Sequence, residues 1–231
     1  MQLITLSLVA SSLAGVAHSI MTQGFIIDGE AIVDWEAAYR DGSRFVNIKA
    51  TEGDTGIAEH LEDNWKDAER EGFICGAYHI GRPVAGAGKT QAEFFINHGG
   101  RWYPDNNTLS GTLEIRAPEY GDQCYGLSSD ETLEYVTDWT EAYYKSEGRS
   151  PFLRFNLAWW DNCTNESSFP LNSWIAVIDF ADSAPDYDDM QSKYGAGWEF
   201  WAPEIGYIHA HPGGMLYMWS GNLLQLQIAA R

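Results

Sequence analysis

In the run Thr112-Leu113-Glu114-Ile115-Arg116, a carboxylate and a guanidinium share one face of a short apolar strand, because alternate side chains of a strand point the same way. Two carboxylates at that spacing could cleave a glycosidic bond, one as proton donor and one as nucleophile or electrostatic partner. Here the second group is Arg116. A guanidinium stays protonated at any working pH, and beside Glu114 it lowers the carboxyl pKa by ion pairing. The neutral donor form becomes scarce, and loss of a general acid removes about 10²–10⁴-fold in rate. The expectation is a partly buried ion pair that neutralises the cavity. Asp28 or Glu30, close to the end of a first strand, could supply a replacement carboxylate. Glu199 and Glu204 lie further along in a region of weak pattern and are poorer substitutes.

Alternating segments must position these groups. Residues 45–50, 75–80, 113–116 and 151–155 read as buried strands. Between them Leu61, Trp65 and Ala68 recur at helical spacing before Gly72, and residues 90–97 form a second helix ended by Gly99-Gly100. Ser128-Ser129-Asp130-Glu131 is a capping box opening a third helix that carries Leu133, Val136, Trp139 and Tyr143 inward and stops at Gly148. Beyond residue 155 the helical pattern fades, and 174–180, 198–201 and 216–219 read as strands joined by loops. Five βα units followed by bare strands define an α/β chain folded as one TIM-like barrel.

The first nineteen residues carry an apolar run closing on Ala17-His18-Ser19, which reads as a cleaved signal peptide and leaves 212 of the 231 residues as one barrel-sized domain, 20–231. The protein is then expected outside the cell, as a monomer. A net charge of −19 argues against nucleic acid as partner and against electrostatic capture by anionic walls, and no other stretch would cross a membrane. Of three cysteines, Cys75 lies in a buried strand and is expected free. Cys124 and Cys163, in polar loops, are the expected disulfide. No Cys-x-x-Cys or His-x-x-x-His spacing suggests a metal, and no cofactor is implied. Asn106, Asn162 and Asn165 open glycosylation sequons. Asp34-Trp35 reads as a helix start, Glu52 as a structural strand-end contact, and residues 186–189 as a solvated acidic loop.

Phe45-Val46-Asn47-Ile48-Lys49-Ala50-Thr51-Glu52-Gly53, Gly76-Ala77-Tyr78-His79 with Arg82-Pro83, Cys124-Tyr125-Gly126-Leu127-Ser128, Trp159-Trp160 with Cys163, and Trp174-Ile175-Ala176 together resemble the lysozymes (muramidases) of glycoside hydrolase family 25. The cysteine-bearing elements look like its fungal branch, where those cysteines pair. The resemblance implies a (β/α)5(β)3 barrel and action on cell-wall glycan. It also implies Leu-Asp-Ile-Glu where this chain has Leu113-Glu114-Ile115-Arg116, an aspartate at Ile26, a site tyrosine at Arg154, and Phe-Trp-Gln-Tyr at residues 200–203. The departures gather at the chemistry. They point to a scaffold kept as an extracellular binder of peptidoglycan or a chitin-like glycan, or of an extracellular protein; the competing reading is an active N-acetylmuramidase with rearranged carboxylates. Tyr78, His79, Trp159, Trp160, Trp174 and Trp201 fall near predicted strand ends, where sugar rings could stack. Arg116 and Arg154 could together hold an acidic group.

Overall fold

The computed structural model describes residues 21–178, 184–203 and 214–231. The expected signal peptide, Glu204 and the far end of the 174–180 strand lie outside these described residues. The barrel strands are β1 (Thr22–Ile27), β2 (Phe45–Glu52), β4 (Ile74–Ile80), β5 (Thr112–Glu114), β6 (Phe152–Phe155), β7 (Trp174–Ile178), β8 (Phe200–Ala202) and β9 (Met215–Trp219). They pair in the order β1-β9-β8-β7-β6-β5-β4-β2, and β1 pairs with β2 to close the cylinder. All pairings are parallel except those of β9, which runs antiparallel to β1 and β8. A two-residue strand, β3 (Gly56–Ile57), folds back on β2. This is the expected α/β, TIM-like barrel with its last strands departing from the βα repeat.

The helices α1 (Trp35–Arg40), α2 (Leu61–Arg70), α3 (Gly88–Phe95) and α4 (Ser129–Glu147) form the outer layer over the first strands. Asp34 caps α1, its carboxylate accepting the Ala37 amide at 2.9 Å. Ser128 and Glu131 complete the capping box of α4, and Gly148 ends it in a left-handed conformation. Helix α3 runs into a π-type turn, Ile96–Gly100, so the helical segment begins and ends beyond the 90–97 expected.

After β6 the loop expectation fails. Among the described residues three further helices occur: α5 (Leu157–Thr164), α6 (Tyr187–Tyr194) and α7 (Leu223–Ala229). Each follows a side chain that caps it, Asn156, Asp186 and Asn222 respectively. Short helices need such caps because their orphan amides are a large share of the whole. The acidic residues 186–189 are therefore a cap and first turn, where carboxylates complement the helix dipole, and not a solvated loop. Cys163 likewise lies in α5, not in a loop, yet it pairs with Cys124 as expected (Cα–Cα 5.4 Å), and Cys75 is a buried free thiol.

Alternation along the strands separates two cores. Outward side chains such as Val46, Leu113, Leu153 and Ile175 pack under the helices. Inward ones fill the lumen, with Phe200 at the bottom in ring contact with Phe45, Phe152, Tyr217 and Trp219 at centroid distances of 5.3, 4.9, 4.7 and 4.9 Å. Glu199, just before β8, ties the lower rim together: its carboxylate accepts the Ile175 amide at 2.7 Å. It therefore serves the barrel floor and stands apart from the mouth where a replacement acid would be needed. Burial pushes its pKa up from 4.5 to about 7. A raised folded-state pKa gives stability that is fully present below the unfolded value and is lost as pH rises through the folded one. Glu199→Gln keeps the acceptor and removes the charge. The melting temperature of the natural protein should fall relative to that of Glu199→Gln as pH rises from 4.5 to 7, as followed by calorimetry.

Candidate active site

Strands β5 and β6 carry their inward residues one step above the aromatic floor, and the register sets Glu114 beside Arg154. Arg154 is fully buried and Glu114 is 1% exposed. Arg154 Nε donates to Glu114 Oε2 at 2.6 Å, with Nη2 also on that oxygen. Its Nη1 donates to Asn47 Oδ1 at 2.6 Å. The guanidinium lies over the Tyr78 ring at 4.3 Å and near that of Tyr217 at 5.4 Å, so its faces are covered by π-systems as well. Gly76 makes room for this: a Cβ there would come within 2.7 Å of the Asn47 amide nitrogen.

The second arginine closes the clamp from above. β5 ends at Glu114, and Arg116, just past it, donates Nε to Glu114 Oε1. Its backbone is held by Tyr125, whose hydroxyl donates to the Arg116 carbonyl at 2.6 Å. Arg116 remains 44% exposed on its side chain. Burial alone would raise the Glu114 pKa; the charges of Arg154 and Arg116 and the hydrogen bonds from both outweigh it and hold the carboxyl below its usual 4.5. Buried carboxylates persist only when paired in this way.

Asp28 stands beside this clamp, accepting the Tyr78 hydroxyl at 3.0 Å. It opens onto one groove of ≈ 840 Å³ over β1, β2 and β4, which also includes Glu30, Lys49, Glu52 and Arg82. Glu52 there is a strand-end contact, paired with Lys49 at 2.7 Å and with Arg82. On the other side of Arg116 a second cavity of ≈ 600 Å³ is walled by Ile115, Ala117, Ala158, Trp159, Ile178 and Met215, with Gln123, Asn156 and Asn162 as neutral polar groups. The Cys124–Cys163 disulfide joins the two segments that form much of this wall.

Several expected ligand residues are placed elsewhere. His79 points outward from β4 under the helices, bonded to Thr51 Oγ1 at 2.7 Å and Gln91 Oε1 at 3.1 Å. Burial lowers its pKa to about 4, leaving it neutral. Trp160 is fully buried against Phe155 and Phe169, and Trp201 packs half-buried toward the helices. Trp174 begins β7 at the opposite end of the barrel, under the Arg149 guanidinium at 4.9 Å. Tyr78 is at the site but has no exposed ring to stack. Arg154 is committed to Glu114, so it does not join Arg116 around an acidic ligand. For His79 and Trp201 the reason is strand alternation, which turns a residue to the lumen or the helices according to parity; Trp160 lies on α5 and Trp174 at the start of its strand. Trp159, whose indole N–H donates to the Gln123 carbonyl at 2.9 Å, is the aromatic that reaches the cavity. Asn156, Ile178 and Met215 escaped sequence reading, although Asn156 directly follows a strand at the mouth, a position that carries function in such barrels. Among the described residues no group of three His, Cys, Asp or Glu side chains could hold a metal, and no helix is long and apolar enough to cross a membrane.

A closed eight-stranded cylinder with helices outside it, and a carboxylate at the end of β5 beneath the mouth, places the chain among the TIM-like α/β barrels. The model of glycosyl hydrolases family 25 matches residues 26–202, and the chain belongs to that family. It is 35% identical over 182 residues to an N,O-diacetylmuramidase of Chalaropsis sp, covering 77% of this chain and 84% of that one. It is 33% identical over 170 residues to Lysozyme M1 of Streptomyces globisporus, covering 73% of this chain but only 56% of that relative's length. The solved structure of a family GH25 lysozyme from Aspergillus fumigatus superposes with a TM-score of 0.81 at 32% identity, covering 91% of this chain and 99% of that one.

The clamp has a measurable energetic signature. Removing one partner of a buried pair strands the other charge, at a cost of about 3–5 kcal/mol, whereas replacing the whole set by apolar groups is far milder. Urea denaturation should therefore show Arg154→Met strongly destabilised, and Glu114→Met/Arg154→Met less destabilised than the sum of the single changes.

Proposed function

We propose that this chain is a secreted, lysozyme-like member of family 25 that engages cell-wall glycan with its barrel mouth and cleaves it weakly or not at all. The observation that carries the reading is the state of Glu114. A general acid must be neutral for part of the time and must reach the leaving oxygen. Glu114 is held ionised, almost completely buried, with both oxygens engaged by guanidiniums. Arg116 cannot donate a proton in its place. The mouth retains Trp159 and neutral amides, groups suited to sugar rings and hydroxyls.

The relatives' names, N,O-diacetylmuramidase and lysozyme, favour the competing reading, an active N-acetylmuramidase in which Asp28 takes over. Its hydrogen bond from Tyr78 at the same mouth is the feature on which that reading rests. Secretion is supported by the Cys124–Cys163 disulfide, since such bonds persist in oxidising compartments. Asn106, Asn162 and Asn165 are all exposed, as glycosylation would require. The protein acts as a monomer, and an extracellular protein is the partner if glycans fail to bind.

Incubating the whole protein with purified bacterial walls and measuring both reducing ends and retained protein decides between the readings. Retention without release of reducing ends is expected, and release that disappears in Glu114→Gln or Asp28→Asn would sink the non-cleaving reading. Failure of walls and chitin alike to retain the protein would replace glycan by a protein partner.

A further inference from the structure

The charges within the ion cluster do not balance. Glu114 carries one negative charge, while Arg154 and Arg116 carry one positive charge each, so this set is net positive in a protein of net charge −19. Arg154 is fully buried in the lumen, with Nε donating to Glu114 and Nη1 to Asn47. Arg116 differs: among the described residues only its Nε is engaged, by Glu114, and its side chain is 44% exposed. Asp28 acts on Arg116 electrostatically, but it accepts the Tyr78 hydroxyl and opens onto the other groove.

Arg116 lies on the edge of the ≈ 600 Å³ cavity, whose other charged lining residue among the described ones is Glu114, already clamped. Among the described residues the rest of the wall is apolar or made of neutral amides, with the largely buried Trp159 as its aromatic contributor. A guanidinium presents its N–H groups as a fork that matches a carboxylate, and such charge-assisted bonds are roughly twice as strong as neutral ones. An apolar pocket of a few hundred Å³ with one fixed charge is the form of a site for a small amphiphile.

We propose that this cavity binds small carboxylates with an aromatic or apolar body, the body against Trp159 and Ile178 and the carboxylate on the outer N–H edge of Arg116. Glu114 acts here as a positioning residue: it fixes the Nε edge and leaves the other edge turned outward. The site does not depend on whether glycan is bound or cleaved at the same mouth.

Isothermal titration of the whole protein with 1-naphthoate and with its neutral counterpart 1-naphthamide tests the proposal. Naphthoate should bind about ten-fold or more tightly than naphthamide, the scale of one charge-assisted contact. Arg116→Gln should bring that ratio close to one, and Arg116→Lys should keep part of it. Ala158→Leu, on an exposed helix position at the cavity wall, fills space without touching Arg116 and should weaken both ligands. This second variant stands if Arg116→Gln does not fold. The proposal is overturned if neither compound binds, if the two bind equally to the natural protein, if the preference survives Arg116→Gln, or if Ala158→Leu leaves both affinities unchanged.

Discussion

The ion cluster of Glu114, Arg154 and Arg116 constrains everything above the barrel floor. A guanidinium and a carboxylate taken out of water lose several kcal/mol of hydration each, and only close, multiply hydrogen-bonded pairing offsets that loss. The lumen is built around this requirement. Asn47 takes the Nη1 donor, Tyr78 and Tyr217 cover the guanidinium faces, and Gly76 lets Asn47 approach. Once Arg154 occupies the centre, Glu114 is committed to it. The chemistry left at the mouth is then that of a fixed carboxylate under a partly exposed arginine.

The same cluster organises the mouth. Arg116 stands between a groove rich in carboxylates, over β1, β2 and β4, and an apolar cavity over β5 to β7. Tyr125 holds the Arg116 carbonyl and also receives Arg82 at 3.4 Å, linking the two sides. The neighbouring disulfide anchors this loop to α5. A sugar chain crossing the mouth would meet acid on one side, a guanidinium in the middle and an indole on the other. The family architecture is preserved, and shape by itself does not carry activity, which is decided by the groups at the mouth.

Much of the barrel was legible in the sequence because strand and helix periods differ. The strands at 45–50, 75–80 and 151–155, the Ser128 capping box and the Cys124–Cys163 pair all emerge from local pattern. The helices α5 to α7 did not, since each is short and its Asn or Asp cap resembles an ordinary polar loop. The Glu114–Arg116 pairing was visible from spacing alone. Arg154 was visible as an unusual residue but not as the partner of Glu114, because that contact depends on the register between β5 and β6 and on a separation of forty residues. Aromatics were the least legible. His79, Trp160, Trp174 and Trp201 all lie near strand ends or mouth segments in sequence, yet strand parity turns His79 and Trp201 to the helix layer, strand polarity puts Trp174 at the far end of the barrel, and α5 buries Trp160. Trp159, beside Trp160 in sequence, reaches the cavity.

The protonation of Glu114 is the most direct point of test. Selective ¹³C labelling of glutamate, with Glu114 assigned by comparison with Glu114→Gln, allows its carboxyl resonance to be followed as the whole protein is titrated. A midpoint below the ordinary carboxylate value of 4.5 is expected, so that the carboxyl is ionised near neutral pH. A midpoint above 4.5 would show a carboxyl that can hold and donate a proton, and would contradict the clamp on which the proposal of weak or absent cleavage rests.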